Sequence, residues 1–247
     1  MSFFSSVDDI ATVDSPPAGE VFRAAGERRD RRGRLLRGYL HKSSNSLCGI
    51  KGYASLIAGG DASGRTTAWA RKIIAEVEQL ETIYQSVRDM AFPEPAPLHD
   101  GGQLASVVQD AAVGAETRHG NLTVLIDDLA DGRLRLPTGD LLQILTAILD
   151  NSAESSSGPV LVTIGSVREH DQLLLSVSDD GPGMGLDLLA QAMDPFVTTR
   201  DGHLGIGLAR VDTILDMHGL GWGLRSTPGA GTTVTLEVAA MAAAART

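Results

Sequence analysis

Asp179-Asp180-Gly181-Pro182-Gly183-Met184 directly follows residues 172–178, whose apolar content and short length read as a buried strand. A carboxylate at a strand end, here Asp179, is placed to accept a hydrogen bond from the amino group of an adenine ring. Gly181 and Gly183 permit a sharp turn and a close approach of backbone to that ring. Alone the segment is a weak signal, because most Asp-x-Gly-x-Gly stretches are ordinary turns.

Three further segments lie around it in a fixed order. Upstream, Asp150-Asn151-Ser152-Ala153-Glu154 falls late in a predicted helix over 138–155. The side-chain amide of Asn151 supplies the hard oxygen that Mg2+ prefers, with phosphates and water completing the shell. Downstream, Asp194-Pro195-Phe196-Val197-Thr198-Thr199-Arg200 precedes Gly202-His203-Leu204-Gly205-Ile206-Gly207-Leu208-Ala209, which opens a predicted helix over 206–218. Glycines such as Gly202, Gly205 and Gly207 at a helix start let the backbone approach phosphate oxygens, and the free amides and positive helix end favour that charge. The remaining pattern predicts a helix over 102–118 and strands over 122–129, 160–167, 223–226 and 232–238. Short connections between consecutive strands predict a largely antiparallel sheet with helices on one face.

Together these segments resemble the N, G1, F and G2 boxes of the histidine-kinase ATP-binding domain, a Bergerat fold shared with gyrase and Hsp90 ATPases. Gly229-Ala230-Gly231-Thr232-Thr233-Val234-Thr235-Leu236 looks like the family's final glycine-threonine segment, which implies Thr232 near the adenine. The resemblance covers about 98–238. The Pro195-Phe196-Val197-Thr198-Thr199-Arg200 form is similar to nitrogen-regulation-type sensor kinases, in which a basic residue follows the two threonines; Arg200 is then either a phosphate contact or a lid residue in solvent.

The chain ahead of this region has a different rhythm. Leu36, Leu40, Ser43, Leu47, Ile50, Ala54 and Ile57 recur at steps of four and three, as do Ile73, Val77, Leu80, Tyr84, Val87 and Ala91. Gly59-Gly60-Asp61-Ala62-Ser63-Gly64 separates the two stripes, and Phe92-Pro93-Glu94-Pro95-Ala96-Pro97 ends the second, because prolines lack amide donors and bias their predecessors to extended geometry. Two such helices form an antiparallel hairpin. One hairpin leaves much of each stripe in water, at roughly 25 cal/mol per Å2 of apolar surface, so pairing two copies into a four-helix bundle is expected.

On the first helix, His41-Lys42-Ser43-Ser44-Asn45-Ser46-Leu47 and Gly49-Ile50-Lys51-Gly52-Tyr53 resemble the phosphoacceptor box of the same kinases. His41 is off the stripe, so its imidazole is expected to face outward, and a neutral imidazole is a good nucleophile near neutral pH. The resemblance also implies that Asn45, at the fourth position of the family's phosphatase motif, orients a water. Two positions depart from the pattern. Lys42 stands where the family has Glu or Asp to take the proton of the histidine, and Ala147 stands one turn before Asn151 where the family has Asn, Glu or His.

Composition sets outer limits. In 247 residues, a net charge of −10 argues against a nucleic-acid footprint, despite the basic run Arg28, Arg29, Arg31, Arg32, Arg34, Arg37, which reads as a solvated helix start. Aromatics are 4%, so the core must be aliphatic. The single cysteine, Cys48, has no internal disulfide partner and reads as packing within the first helix, consistent with a cytoplasmic protein. No apolar run is long enough for membrane insertion, and residues 1–20 read as a loose tail rather than a signal peptide. His99, His119, His170, His203 and His218 sit at predicted element ends or turns, where solvent exposure accounts for them.

The expected architecture is α+β and multi-domain: a helical hairpin forming a dimeric four-helix bundle, followed by an α/β sandwich of Bergerat type. Its parts are a flexible tail over 1–30, the dimerisation and histidine-phosphotransfer hairpin over 31–93, a linker over 94–98, the ATP-binding domain over 99–240 and a tail over 241–247. The resemblance implies a homodimeric histidine kinase using ATP and Mg2+, with a response-regulator receiver domain as partner and an upstream sensor protein as a further one. The competing expectation is a phosphotransfer hub or receiver-docking module with little autokinase activity, favoured by Lys42 and Ala147. A serine kinase of the anti-sigma type fits less well, since it would not need the hairpin with its histidine box.

Overall fold

The computed structural model describes residues 19–23, 31–59, 65–91, 104–130, 134, 136–169, 172–200 and 203–240. Two compact units emerge: Arg28–Glu94 with Asp194–Ile206, and a second comprising Met1–Glu27, Pro95–Met193 and Gly207–Thr247.

In the first unit, α1 (Arg31–Ala58) and α2 (Thr66–Ala91) pack side by side. Gly49 of α1 lies against the Glu76 side chain, and Lys72 Nζ sits 5.1 Å from the centre of the Tyr53 ring, so the two helices run antiparallel. α2 stops at Ala91, just before the proline-rich segment. The apolar stripes divide by alternate members. Ser43, Ile50 and Ile57 on α1, with Ile73, Leu80 and Val87 on α2, are buried or half-buried between the helices. Leu40 and Leu47, seven residues apart on α1, and Val77 and Tyr84, seven apart on α2, are 40–60% exposed. Ile83 and Ser46, off both stripes, complete the buried seam. Cys48 is exposed, in contrast to its expected packing role, because it falls on the outer face of α1. The side chains of the basic run lie outside the described residues.

The second unit is built on a six-stranded sheet. Its strands are β1 (Glu20–Arg23), β2 (Leu122–Ile126), β3 (Val160–Glu169), β4 (Gln172–Asp179), β5 (Trp222–Ser226) and β6 (Thr232–Ala240), in the spatial order β1-β5-β6-β4-β3-β2. Only the β2–β3 pair is parallel among these neighbours. Residues alternate across the sheet, so Val160, Val162 and Ile164, Leu173, Leu175 and Val177, Trp222 and Leu224, and Val234, Leu236 and Val238 share one buried core. The helices α3 (Leu104–Arg118), α4 (Thr138–Glu154) and α6 (Gly207–Met217) supply its other half; α5 (Leu186–Leu189) is a single short turn.

The strand β1 corrects the expectation of a structureless tail over 1–30. Glu20–Arg23 pairs antiparallel with β5, and Val21 packs against the core. Its four residues are too few to show alternation, and its pairing partner lies about two hundred positions away, so local pattern carries no trace of it.

Candidate functional site

β4 ends at Asp179, which pairs in register with Thr232 at the start of β6. The carboxylate is held at both oxygens. Oδ1 accepts the backbone N–H of Gly181 at 3.0 Å and of Thr232 at 3.1 Å, and Oδ2 accepts the Ser152 hydroxyl at 2.9 Å. Burial pushes the Asp179 carboxyl above its ordinary 3.8, against the lowering effect of those hydrogen bonds.

The glycines around it are required by shape. Gly183 has φ +66°, and a Cβ there would collide with the Thr227 carbonyl oxygen. Gly231 has φ +85°, and a Cβ there would run into the carbonyl of Asp179. At Gly181 a Cβ would stand 2.8 Å from Ser155 Oγ and 2.9 Å from Asp179 Oδ1. These turns are laced together by Ser226, which accepts the Met184 N–H at 2.8 Å and sits 2.9 Å from Thr232 Oγ1, and by the Gly229 N–H to Pro182 carbonyl bond of 2.7 Å.

Ser152 places the end of α4 beside this anchor, and Asn151 precedes it, half-buried. Asp150 is fixed by Arg118, whose Nη2 lies 2.8 Å from Oδ1, and by His119 Nε2 at 2.9 Å, so α3 braces the helix turn that carries Asn151. Ala147 is half-buried one turn earlier, and Gly207, the first residue of α6, lies close to its carbonyl.

Residues 194–206 belong to the first unit. There Phe196 has φ +68° and donates its N–H to the Gly205 carbonyl at 2.7 Å, Gly205 has φ +67°, and Arg200 N–H reaches Thr198 Oγ1 at 3.1 Å. Gly202 lies outside the described residues. On α1, His41 and Asn45 are both exposed and stand one turn apart, on one face.

The structure therefore brings together Asp179, Gly181, Gly183 and Thr232, with Asn151 adjoining through Ser152. Sequence reasoning passed over Ser152 and Ser226, whose hydroxyls gain meaning only from contacts across the fold. His119 and His218 are corrections too. Both are partly buried and bonded, His218 Nε2 to Asp140 Oδ2 at 2.8 Å, because a buried carboxylate needs a donor. His99 and His170 lie outside the described residues.

The strand-end carboxylate of Asp179 thus lies among the positive-φ glycines Gly183 and Gly231 and is bounded by the helix that bears Asn151. Residues 138–241 match the family described as "Histidine kinase-, DNA gyrase B-, and HSP90-like ATPase". Similarity extends over more of the chain. It is 26% identical over 217 residues to the signal transduction histidine-protein kinase AtoS of Escherichia coli, covering 86% of this chain and 36% of that protein. It is 28% identical over 209 residues to the sensory histidine kinase/phosphatase NtrB of Rhodobacter capsulatus, covering 76% and 57%. The fold is shared with the Acinetobacter baumannii histidine kinase AdeS, at TM-score 0.58 and 19% identity over 82% of this chain and 98% of that one. The chain spans about a third to just over half of the length of these curated histidine kinases.

Proposed function

We propose that this chain is a protein histidine kinase in which ATP phosphorylates His41 and the phosphoryl group passes to an aspartate of a response-regulator receiver domain. The observation that carries the reading is the Asp179 anchor, an acceptor fixed at the end of β4 by Ser152, Gly181 and Thr232. Its carboxylate retains lone pairs for an adenine amino group, and the absence of a Cβ at Gly181 and Gly183 lets the turn close against Asp179 and the Thr227 carbonyl. Thr232, beside Asp179, completes this side of the adenine site.

The donor set suits a magnesium ion carried by the nucleotide. Among the described residues no group of three or more His, Cys, Asp or Glu is placed to hold a metal, so the ion would rest on phosphate oxygens, water and the Asn151 amide. When bound, it neutralises charge on the phosphates. Gly202, Gly205 and Gly207, with Arg200, are the phosphate-side residues of this reading.

In the reaction a neutral His41 nitrogen bonds to the γ-phosphorus, the bond to the β–γ bridging oxygen breaks, and ADP leaves. The displaced imidazole proton goes to solvent, since Lys42 carries no base. Transfer of this kind depends chiefly on positioning and electrostatics, so it survives that substitution at a lower rate. Asn45, one turn from His41, orients a water for the reverse, hydrolytic reaction. The exposed halves of both stripes, Leu40, Leu47, Val77 and Tyr84, form the surface that a second copy covers. A cytoplasmic location fits the described helices, none of which is long and apolar enough to cross a membrane.

Incubation with γ-labelled ATP and Mg2+ tests the reading. Acid-labile label on the wild type that is absent from His41→Ala supports it. Label acquired only from a phosphorylated receiver would instead make the chain a phosphotransfer hub.

A further inference from the structure

We propose that Gly38 is a notch in α1 that seats the ring of Phe196, and that this seat is a positioning element for phosphoryl transfer to His41. The proposal rests on the kinase reading and adds to that reaction two residues outside the Asp179 site.

The contact lies within the first unit, to which both α1 and residues 194–206 belong. A Cβ on Gly38 would run into Phe196 Cδ2 and would stand 2.9 Å from Cγ and 3.0 Å from Cε2, so the ring rests on the bare helix backbone. Gly49 and Gly52, the other glycines of α1 among the described side chains, have no such neighbour. At Gly49 the nearest group is the movable end of the Glu76 side chain, and at Gly52 a Cβ meets nothing within 4 Å. Glycine is among the poorest residues for a helix interior, and at Gly38 the ring supplies a reason for it.

The ring is also aimed. Among the described residues Phe196 is the one non-glycine with positive φ, at +68°, a region that bulky side chains rarely adopt. Its N–H bond to the Gly205 carbonyl, 2.7 Å long, closes residues 196–205 into a loop. A Cβ on Gly205 would meet the Val197 carbonyl, so the closure depends on that glycine. Backbone strain of this kind persists where the surroundings over-determine it, and it gathers at functional sites. Its placement gives it a consequence. His41 follows Gly38 by three residues, so the two are neighbours on the helix surface; Gly38 is half-buried and His41 exposed. The loop that Phe196 heads carries Arg200 and Gly205, both phosphate-side residues of the kinase reading. Seating the ring at Gly38 holds that loop one helical turn from the acceptor imidazole. Neither residue offers a group to the reacting atoms, so each acts by position.

The test uses the full chain with Gly38→Ala, Phe196→Leu and the Gly38→Ala/Phe196→Leu double variant. Three quantities are read: nuclear Overhauser contacts between the Gly38 α-protons and the Phe196 ring, the rate of His41 labelling at saturating ATP, and the affinity for a non-hydrolysable ATP analogue with Mg2+. The wild type should show the Overhauser contact. In Gly38→Ala labelling should fall about tenfold or more, since a misplacement of about an ångström costs up to about a hundredfold. Nucleotide affinity should stay unchanged, as expected when only the transfer step loses its geometry. Alanine is the better helix former, so damage to α1 does not account for such a loss. The double variant should label faster than Gly38→Ala, because the smaller side chain takes up the added methyl. The proposal is overturned by a wild type without the Overhauser contact, by unchanged or faster labelling in Gly38→Ala, by a loss expressed in nucleotide affinity, or by a double variant no faster than Gly38→Ala. If the wild type leaves His41 unlabelled, the kinase reading fails and the positioning role fails with it, while the Overhauser contact still decides whether the seat exists.

Discussion

Ser152 on α4 donates its hydroxyl to Oδ2 of Asp179 at the end of β4, joining a helix to a strand end 27 residues later in the chain. The bond holds one oxygen of the half-buried carboxylate while two backbone amides hold the other. Hydrogen bonds to charged groups contribute about 1.5–3 kcal/mol, so Ser152→Ala should lower the stability of the domain by about that amount at neutral pH. Adenine-nucleotide affinity should fall with it, as the carboxylate loses its fixed orientation. Urea denaturation and titration calorimetry check the two halves; an unchanged affinity would separate the serine from the anchor.

Asp179→Asn should behave differently. The asparagine oxygen can still accept from Gly181 and Thr232, and its NH2 can donate to Ser152 Oγ, so the turn survives. The adenine amino group then meets a donor, and binding should be lost in calorimetry. Stability has its own sign. The folded carboxyl lies above the ordinary 3.8, so the folded domain holds this proton more tightly than the unfolded chain. The contribution of Asp179 to stability is therefore full below 3.8 and is lost as pH rises through the raised folded value. At pH 7 the nucleotide-free Asn variant should accordingly be at least as stable as wild type. Nucleotide affinity of the wild type runs the other way, weakening as acidification protonates the anchor.

Gly231→Ala should be severe. The left-handed backbone alone costs about 1–2 kcal/mol, and the added methyl collides with the Asp179 carbonyl, which cannot move without opening the β4–β6 pair. A fall in stability beyond about 2 kcal/mol, read by denaturant melts, is expected, against about 1–2 kcal/mol for Gly229→Ala, where a Cβ meets nothing within 4 Å and only the backbone term applies.

His218→Ala should leave Asp140 without its partner. That carboxylate is 3% exposed at the start of α4, while His218 follows the end of α6, so the pair ties the two helices together. Removing one member of a hydrogen-bonded buried pair costs about 1–3 kcal/mol, more for a charged group, and Asp140→Asn in the same background should recover part of it. Thermal melts of the single and double variants provide the comparison.

Leu47→Glu addresses the hairpin. Leu47 is 56% exposed in one copy, so the substitution should barely affect a lone hairpin but should dissociate a paired one. Sedimentation velocity showing a shift from dimer to monomer is expected; a monomeric wild type would remove the second copy from the reading.

Much of the fold was legible because its elements carry their own period. β4 was expected over 172–178 and runs Gln172–Asp179, and α4, expected over 138–155, runs Thr138–Glu154. Prolines marked the end of α2, and of the two glycines expected to make the sharp turn after β4, Gly183 has positive φ. The parts that escaped are those whose meaning lies across the sheet. β1 is recognisable only once β5 lies beside it, and the Ser152 and Ser226 hydroxyls have roles only beside Asp179 and Met184. The stripe containing Ser43 was read as one seam, whereas the hairpin buries Ser43 and leaves Leu40 and Leu47 in solvent. Periodicity identifies apolar positions without saying which neighbour each one meets.

Three donors already converge on Asp179 before any ligand arrives, which fixes the strand end as an acceptor and nothing else. A guanine ring presents a carbonyl where adenine presents its amino group, so two oxygens would face one another with no proton between them. If Asp179 is the adenine anchor proposed above, discrimination between the two purines is set by the resting geometry of a single carboxylate, ahead of any movement of the chain.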